Sequence, residues 1–345
     1  MAADAATAAP PSAGRRHRQP DMSQPADPLP ATGHRRPVEA AAPDMLQPAD
    51  PLPPAASDEA DLERRFGGLR RLYGDDEYGR VRAARIAVVG LGGVGSWAVE
   101  ALARSGVAGL LLIDLDHVSE SNVNRQVQAL GSTLGMAKAA ALAARVADIH
   151  PGCQVETIED FVDADNCAAL LAGPLDAVID ACDQVRAKQA IAEWSLGGGA
   201  PLVVVGAAGG KERPQAVETG DLAQASHDPL LAALRQRLRK SGAMQREGRP
   251  SGLACVYSRE PVRLPQRGEG EDAGDEAGVV DGSLNCRGYG SSVTVTATFG
   301  LCAAAEALAI VRRAPAPGRS GPPSLLYSRR FARRVVSSVG RAADF

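Results

Sequence analysis

The chain has 345 residues, of which 45% are hydrophobic and 3% aromatic, so it is long enough for one large or two modest domains. Its formal net charge of −3 is too small to indicate nucleic-acid binding, so any such surface must be local. No secretory signal is recognisable, and we therefore expect a reducing, cytoplasmic compartment.

The N-terminal segment, residues 1–57, is rich in Pro, Ala and Asp and shows neither helical nor strand periodicity. Its residues 20–30 return almost unchanged as residues 43–53. Such a composition cannot bury enough apolar surface to offset the entropy that ordering costs. We therefore predict a disordered tail, followed from about residue 58 by folded protein that begins with a short helix over 58–66.

From residue 85 onward, short apolar runs alternate with helical patterns. Uninterrupted apolar runs are typical of parallel strands that are covered on both faces. The alternation predicts a doubly wound, Rossmann-like α/β fold with a mostly parallel sheet and ligands at the carboxyl ends of its strands. The predicted elements are strand 85–90, helix 94–104, strand 109–114, helix 137–149, strand 154–158, helix 165–172, strand 176–180, helix 186–196 and strand 201–206.

The pattern is weaker after residue 210. A helix is predicted over 228–240, a Gly-rich acidic insert covers 266–283, and residues 292–313 suggest a strand followed by a helix that returns to the core. The apolar stretch 293–311 contains Glu306, which favours a buried helix over a membrane span. Residues 313–345 form a C-terminal extension with basic character.

A glycine cluster lies where the first strand meets the first helix of this fold. Gly90, Gly92 and Gly95 match the pattern G-x-G-x-x-G, with Gly93 and Ser96 beside them. The start of such a helix presents unpaired N–H groups that attract phosphate, and side chains in the turn would block the approach. Asp114 follows about twenty residues later, as a ribose ligand does in dinucleotide sites. Taken alone, these residues favour an NAD-binding oxidoreductase.

A polar loop after the second strand favours ATP instead. It places Asn122, Asn124, Arg125 and Gln126 close together just beyond Asp114. Hydride transfer has no use for a guanidinium there, whereas attack on the α-phosphate of ATP builds charge on phosphoryl oxygens that arginine stabilises. The alternative interpretation is a polar turn capped by Asn side chains.

Two further sets of residues are candidates for contacts with a nucleoside triphosphate. Lys138 begins a predicted helix and is a candidate for the β- and γ-phosphates, although a solvated lysine is the alternative. Asp180 and Asp183 close a predicted strand, where Asp183 could hold Mg²⁺ that bridges the phosphates. Loop capping is the alternative for this pair.

Together these motifs resemble the ubiquitin-activating-enzyme-like superfamily, whose members adenylate carboxylates with ATP. The resemblance covers about residues 61–210 and rests on the glycine loop, Asp114-x-Asp116, Ser121 to Gln126, Lys138 and Asp180-x-x-Asp183. Further segments are similar to the tRNA threonylcarbamoyladenosine dehydratase branch and extend the coverage to about residue 308. These segments are residues 65–74, 180–188, 209–210, 228–230, 255–258 and 288–300.

The resemblance implies roles for individual residues. Gly90, Gly92, Gly93, Gly95, Ser96, Asp114, Asp116, Asn122 and Gln126 form the ATP site, with the ribose on Asp114. The catalytic group comprises Arg125, Lys138, Asp183 with its Mg²⁺, and an arginine that reaches a partner subunit's nucleotide, either Arg65 or Arg71. The resemblance implies a homodimer, and it assigns residues 58–312 to one ATP-binding, adenylating domain.

The implied reaction dehydrates threonylcarbamoyladenosine in tRNA. ATP activates the threonyl carboxylate as an acyl-adenylate, and the ureido nitrogen of the same side chain then closes a cyclic hydantoin. One alternative is an adenylyltransferase for a ubiquitin-like sulfur-carrier protein. Such relatives carry paired C-x-x-C zinc ligands, which are absent from this sequence, so we expect no zinc. A NAD-binding oxidoreductase remains the more distant alternative.

Two sets of residues are candidates for contacts with partner molecules. Cys255 lies in a family-like segment, and a thiol role connected with a cysteine desulfurase system competes with a small buried side chain. A basic cluster on the predicted helix 228–240 is a candidate for tRNA binding, with a solvated helix face as its alternative. This cluster comprises Arg235, Arg237, Arg239 and Lys240.

Overall fold

A computed structural model describes residues 61–245, 249–263 and 289–314. All of them belong to the second of two units into which the chain divides after Pro54. The predicted tail 1–57, the acidic insert 266–283 and, beyond Ala314, the C-terminal extension lie outside the described residues.

Helices and strands alternate through the described part of the chain. The helices are α1 (Leu62–Tyr73), α2 (Asp75–Ala83), α3 (Gly95–Arg104), α4 (Lys138–Ile149), α5 (Cys167–Leu170), α6 (Val185–Leu196), α7 (Pro229–Ser241) and α8 (Val293–Arg313). The strands are β1 (Arg85–Val89), β2 (Gly109–Ile113), β3 (Gln154–Ile158), β4 (Ala177–Asp180), β5 (Leu202–Val205), β6 (Val217–Asp221) and β7 (Ala254–Ser258).

The described strands form one seven-stranded sheet in the order β3-β2-β1-β4-β5-β7-β6. Only the pairing of β6 with β7 is antiparallel among these strands. Alternate side chains of β1 enter two different cores: Val88 packs with α3, α4 and α8, and Val89 packs with α5, α6 and α7. A sheet covered on both faces explains the uninterrupted apolar runs, and the doubly wound α/β prediction is confirmed.

The prediction missed strands β6 and β7 and was wrong at both ends of the described region. The first helix does not stop at residue 66 but continues through Gly67 and Gly68 to Tyr73, and α2 was not predicted. The β-branched run at residues 293–298 belongs entirely to α8 and forms no strand. Tertiary packing outweighs the local strand preference there, because Val295 and Phe299 are fully buried.

Helix α8 packs very closely against α3. A β-carbon on Gly300 would lie 2.8 Å from the Trp97 Cβ and 2.9 Å from the Ala98 nitrogen, and it would also overlap the Val94 carbonyl oxygen. By length and composition α8 alone among the described helices could cross a membrane, but half of its apolar window is buried. Its contacts with α3 and the sheet identify α8 as a core helix.

We predict that Gly300→Ala lowers the free energy of unfolding by about 1–3 kcal/mol, because the added methyl group overpacks the contact with α3. Alanine's better helix propensity, about 1 kcal/mol, opposes this loss. Urea denaturation measures the change. As a control, Ala305→Leu on the exposed face of α8 should alter the free energy by less than about 0.5 kcal/mol. Equal stability of both variants contradicts the close-packing argument.

Candidate functional site

The glycine loop, residues 90–95, connects β1 to α3 and is shaped by two steric constraints. Gly90 has φ +83°, and a β-carbon there would lie 2.7 Å from the Cys182 nitrogen. A β-carbon on Gly95 would overlap the Gly90 carbonyl oxygen. Both positions therefore require glycine. No side chain caps the start of α3, so its N-terminal N–H groups are available to an anion.

The other loop glycines differ in what surrounds them. A β-carbon on Gly92 would meet no atom within 4 Å, whereas one on Gly93 would lie 3.2 Å from side-chain carbons of Arg125 and Thr296. Gly92 thus faces open space on the side where a phosphate would approach. Ser96, predicted to line the phosphates, is fully buried, and its Oγ accepts a hydrogen bond from the Val127 nitrogen at 3.4 Å. Its hydroxyl therefore lies behind the loop.

Asp114, at the end of β2, braces the glycine loop. Its Oδ2 accepts from the Leu91 nitrogen at 2.6 Å, and its Oδ1 accepts from the Asp116 nitrogen at 2.8 Å. Lys138 Nζ lies 3.6 Å from Asp114 Oδ1 and 2.6 Å from Asp116 Oδ2. Only 6% of Lys138 is exposed, which contradicts the solvated-lysine alternative. One ammonium group thus joins the start of α4 to the two carboxylates that follow β2.

The polar loop holds Arg125 over the glycine loop. Arg125 donates from one terminal nitrogen to the Ser121 carbonyl oxygen at 2.6 Å and to Asn124 Oδ1 at 3.0 Å. Its carbonyl oxygen accepts from Trp97 Nε1 at 3.0 Å. Asn122 is buried, and its Oδ1 accepts from the Ser119 nitrogen at 3.1 Å. The alternative of a turn capped by asparagine therefore applies to Asn122. Arg125 is half-buried, and its other guanidinium nitrogens have no hydrogen bond within the described part of the chain.

The sequence prediction missed Gln128, which connects the polar loop to the glycine loop. This side chain is 1% exposed, and its Nε2 donates to the Leu91 carbonyl oxygen and to Gln126 Oε1, each at 3.0 Å. Gln126 is also buried, so its side-chain oxygen serves this connection. The sequence around the two glutamines does not show which of them binds a ligand and which connects the loops. The role of Gln128 depends on a contact with a residue 37 positions earlier in the sequence.

Asp183 lies just beyond β4 at the carboxyl edge of the sheet. The adjacent Cys182 backbone touches Gly90 of the glycine loop, which brings this carboxylate to the same edge as Asp114. No hydrogen bond or ion pair of Asp183 is found within the described ranges. Among the described residues, no group of three or more His, Cys, Asp or Glu side chains is placed so that it could hold a metal ion by itself. A single free carboxylate beside a phosphate site nevertheless fits Mg²⁺, which takes few protein ligands and completes its shell with phosphate oxygens and water.

The two N-terminal arginines have different environments. Arg65 donates to the carbonyl oxygens of Asp148 at 3.1 Å and Ile149 at 2.6 Å, so it fastens α1 to the end of α4. Arg71 is exposed near the end of α1, and within the described part of the chain it has no hydrogen bond or ion pair. Arg71 is therefore the better candidate to reach a partner subunit.

Cys255 does not support the predicted thiol role. It lies within β7 and is 0% exposed. Burial raises the pKa of the thiol well above its usual range, and the nearby Asp228 and Asp221 raise this pKa further. A thiol that is protonated and shielded cannot act as a nucleophile. Cys255 is a small buried side chain, as the alternative interpretation predicted.

The basic cluster on α7 does not form one exposed face. Arg235 donates to the Ala225 carbonyl oxygen at 2.7 Å and so holds the segment before α7. This correction removes Arg235 from the RNA-binding candidates. Arg237 and Arg239 are half-buried, and Lys240 is exposed. Their roles in RNA binding stay predictions.

The chain is similar to known proteins in sequence and in fold. The model of the ThiF family matches residues 65–332. The tRNA threonylcarbamoyladenosine dehydratase of Escherichia coli (strain K12) is 41% identical over 247 residues, which are 71% of this chain and 92% of that protein. The corresponding enzyme of Bacillus subtilis (strain 168) is 37% identical over 198 residues, which are 57% of this chain and 76% of that protein.

A solved structure shares the fold as well. The crystal structure of the E. coli enzyme in complex with ATP superposes with a TM-score of 0.65 at 39% identity, covering 73% of this chain and 96% of that one. A shorter match, 37% identical over 130 residues, is the SAMP-activating enzyme E1 of Haloferax volcanii. It covers 38% of this chain and 48% of that enzyme.

We predict that Gly92→Ala weakens ATP binding at least about 10-fold, a loss of about 1.4 kcal/mol, while the free energy of unfolding changes by less than about 0.5 kcal/mol. The new methyl group meets no protein atom but occupies the open side of the loop. Calorimetric titration with ATP and urea denaturation measure the two quantities. In the matched variant Gly93→Ala, the methyl group meets Arg125 and Thr296, so stability should fall too. Unchanged ATP affinity in Gly92→Ala contradicts the assigned phosphate position.

Proposed function

The chain belongs to the ThiF family, and from this premise we propose that it catalyses the ATP-dependent dehydration of threonylcarbamoyladenosine in tRNA. The observation that carries the proposal is the 41% identity to the E. coli dehydratase, which extends over 92% of that protein. The region that matches the ThiF family, residues 65–332, includes the glycine loop and its surrounding polar residues, which offer a site for a nucleotide's phosphates.

The chemistry requires activation of a poor electrophile. The threonyl carboxylate attacks the α-phosphorus of ATP, pyrophosphate leaves, and an acyl-adenylate forms. The ureido nitrogen of the same side chain then attacks the acyl carbon, loses its proton and expels AMP with the former carboxylate oxygen. The product is a cyclic hydantoin, and the nucleoside has lost one water. Because nucleophile and electrophile share one side chain, proximity accelerates closure without a nucleophilic residue.

Two cations serve the adenylation step. Arg125 lies above Gly93 and stabilises the charge that develops at the α-phosphorus. Lys138, held by Asp116, offers its ammonium group to the β- and γ-phosphates. The side chain of Asp116 is 70% exposed, so a triphosphate can displace it from Lys138. Asp114 holds the loop beneath them and takes the ribose hydroxyls.

Mg²⁺ is the proposed companion of ATP. Asp183 would hold it, and the ion would neutralise charge shared between the phosphates. This assignment is supported by the position of Asp183 directly after the turn that touches Gly90, and by its lack of a hydrogen bond or ion pair among the described residues.

We further propose that the enzyme is a cytoplasmic homodimer in which Arg71 reaches the partner's nucleotide. The support is the exposed, unpaired guanidinium of Arg71 within the described ranges. Lys240 on α7 is the exposed candidate for the tRNA backbone. The link to a cysteine desulfurase system stays a prediction from the resemblance.

The alternative function is activation of a ubiquitin-like sulfur carrier. Its support is the shorter similarity to the SAMP-activating enzyme. Such an enzyme forms an acyl-adenylate on the C-terminal glycine of a small protein, whereas the proposed dehydratase does so on a nucleoside.

We predict that the protein removes one water from threonylcarbamoyladenosine when it is incubated with ATP, Mg²⁺ and tRNA carrying that nucleoside. Mass spectrometry of the digested nucleosides measures the change. Arg125→Ala should lower the rate by about 10²–10³-fold, because it removes charge stabilisation in the transition state. Incubation without ATP should give no product. An unchanged nucleoside mass with the wild-type protein refutes the dehydratase proposal.

We predict that mixing two inactive variants, Arg71→Ala and Arg125→Ala, restores about a quarter of the wild-type rate after subunit exchange. Half of the dimers are then mixed, and one of their two sites combines an intact Arg125 with the partner's intact Arg71. Mixing Lys138→Ala with Arg125→Ala serves as the control and should give no comparable recovery, because both residues belong to the site of one subunit and every site in a mixed dimer then lacks one of them. No recovery in the first mixture excludes Arg71 as the residue that acts across the dimer.

A further inference from the structure

Lys188 is a fully buried cation that the proposed reaction does not use. It lies on α6, 0% exposed, and its Nζ is 3.2 Å from Asp180 Oδ1, also 0% exposed. Nζ donates in addition to the Asp180 carbonyl oxygen at 3.1 Å. Burial lowers the pKa of Lys188, but the charge of Asp180, its hydrogen bond to Lys188 and the other nearby acidic groups together outweigh burial, so this pKa is raised and the ammonium stays charged. Lys188 on α6 thus binds both the carboxylate and the carbonyl oxygen of Asp180, the last residue of β4.

The same carboxylate shapes the turn that follows β4. Asp180 Oδ1 accepts from the Cys182 nitrogen at 3.2 Å and from the Cys182 thiol at 2.8 Å. Burial, followed by the charge of Asp180, raises the pKa of this thiol, so it remains a donor. The other oxygen, Asp180 Oδ2, is buried without a hydrogen-bond partner among the described residues. Both the charge balance and the orientation of this carboxylate therefore depend on Lys188.

This turn lies directly against the glycine loop. The Cys182 backbone occupies the space that a β-carbon on Gly90 would need, at 2.7 Å from its nitrogen and 2.8 Å from its Cα. The Ala181 Cβ lies 3.4 Å from the corresponding position on Gly95. Asp183 is the next residue after Cys182. A shift of the turn would therefore move the Asp183 carboxylate and the phosphate loop together.

We propose that Lys188 is a positioning residue for adenylation: by holding Asp180, it fixes the turn that places the Asp183 carboxylate beside the phosphate loop. The proposal rests on the metal role given to Asp183 in the proposed function. Lys188 touches neither the nucleotide nor the metal and acts through the turn. It differs in this from Lys138, whose ammonium group lies with the carboxylates at the site.

The test measures ATP affinity by calorimetry at increasing Mg²⁺ concentration, without tRNA. Lys188→Met leaves Asp180 buried without its cation and can unfold the protein. The double variant Asp180→Asn/Lys188→Met removes both charges and retains an oxygen that accepts from the Cys182 nitrogen, so it should keep a Tm close to that of the wild type. It still loses the contact with the Asp180 carbonyl oxygen. We expect the Mg²⁺ concentration that supports half of the maximal ATP affinity, called here the Mg²⁺ requirement, to rise about 10- to 100-fold in the double variant. Mutation of other residues that orient a metal ligand has effects of this size.

Hydrogen exchange of the nucleotide-free protein gives a second measurement. In the double variant, the amides of residues 181–184 and 90–95 should exchange faster, whereas those of α7 should not change. The matched control is Lys211→Met, which removes another buried lysine, 2% exposed, whose Nζ donates to the Ser258 carbonyl oxygen at 3.2 Å. This control should lower the Tm without changing the Mg²⁺ requirement.

The outcomes separate this inference from the proposed function. A double variant with wild-type Mg²⁺ requirement and wild-type exchange at residues 181–184 overturns the positioning role. Wild-type ATP affinity that does not depend on Mg²⁺ overturns the metal role of Asp183 and this proposal with it. A wild-type protein that binds ATP with Mg²⁺ but leaves the tRNA nucleoside unchanged refutes only the dehydratase assignment.

Discussion

The site depends on one carboxylate, Asp114, that joins two strands and a helix. It accepts from the Leu91 nitrogen in the loop after β1, from the Asp116 nitrogen after β2, and it lies near the Lys138 ammonium group at the start of α4. Three segments that are distant in sequence are thereby fixed at one edge of the sheet. The loop can present bare backbone to a phosphate because its shape is supported from outside, by Asp114 below and by Gln128 at the Leu91 carbonyl oxygen.

The sequence predicted the five strands β1 to β5 and the residues at their carboxyl ends, but it did not predict β6 or β7. Uninterrupted apolar runs identify β1, β2, β4 and β5, since such short runs are typical of parallel strands that are buried on both faces. The glycine loop was predictable because two of its glycines obey strict steric limits, at Gly90 and Gly95. Structure shows that the other two serve different purposes: Gly92 leaves space for a ligand, and Gly93 allows Arg125 to approach.

What could not be predicted depends on contacts between distant segments. The strand preference of residues 293–298 gave way to a helix, because Gly300 permits α8 to pack on α3. The roles of Gln128 and Arg65 are set by carbonyl oxygens far away in sequence, and that of Arg235 by a carbonyl oxygen in the segment before its helix. A pattern of basic or polar residue types does not reveal whether such a side chain binds a ligand or the protein's own backbone.

The buried ion pair of Lys188 and Asp180 raises a question of energetics. Hydrophobic residues of similar volume are often at least as stabilising as a buried ion pair, so stability alone does not account for this one. The pair does something that an apolar pair cannot do, since the ammonium group also binds the Asp180 carbonyl oxygen and the carboxylate also closes the turn at Cys182. Those directional contacts fix the turn after β4, which leads to Asp183 and whose backbone packs against Gly90. The glycine loop therefore rests on two carboxylates, the half-buried Asp114 on one side and the fully buried Asp180 on the other, each paired with a lysine.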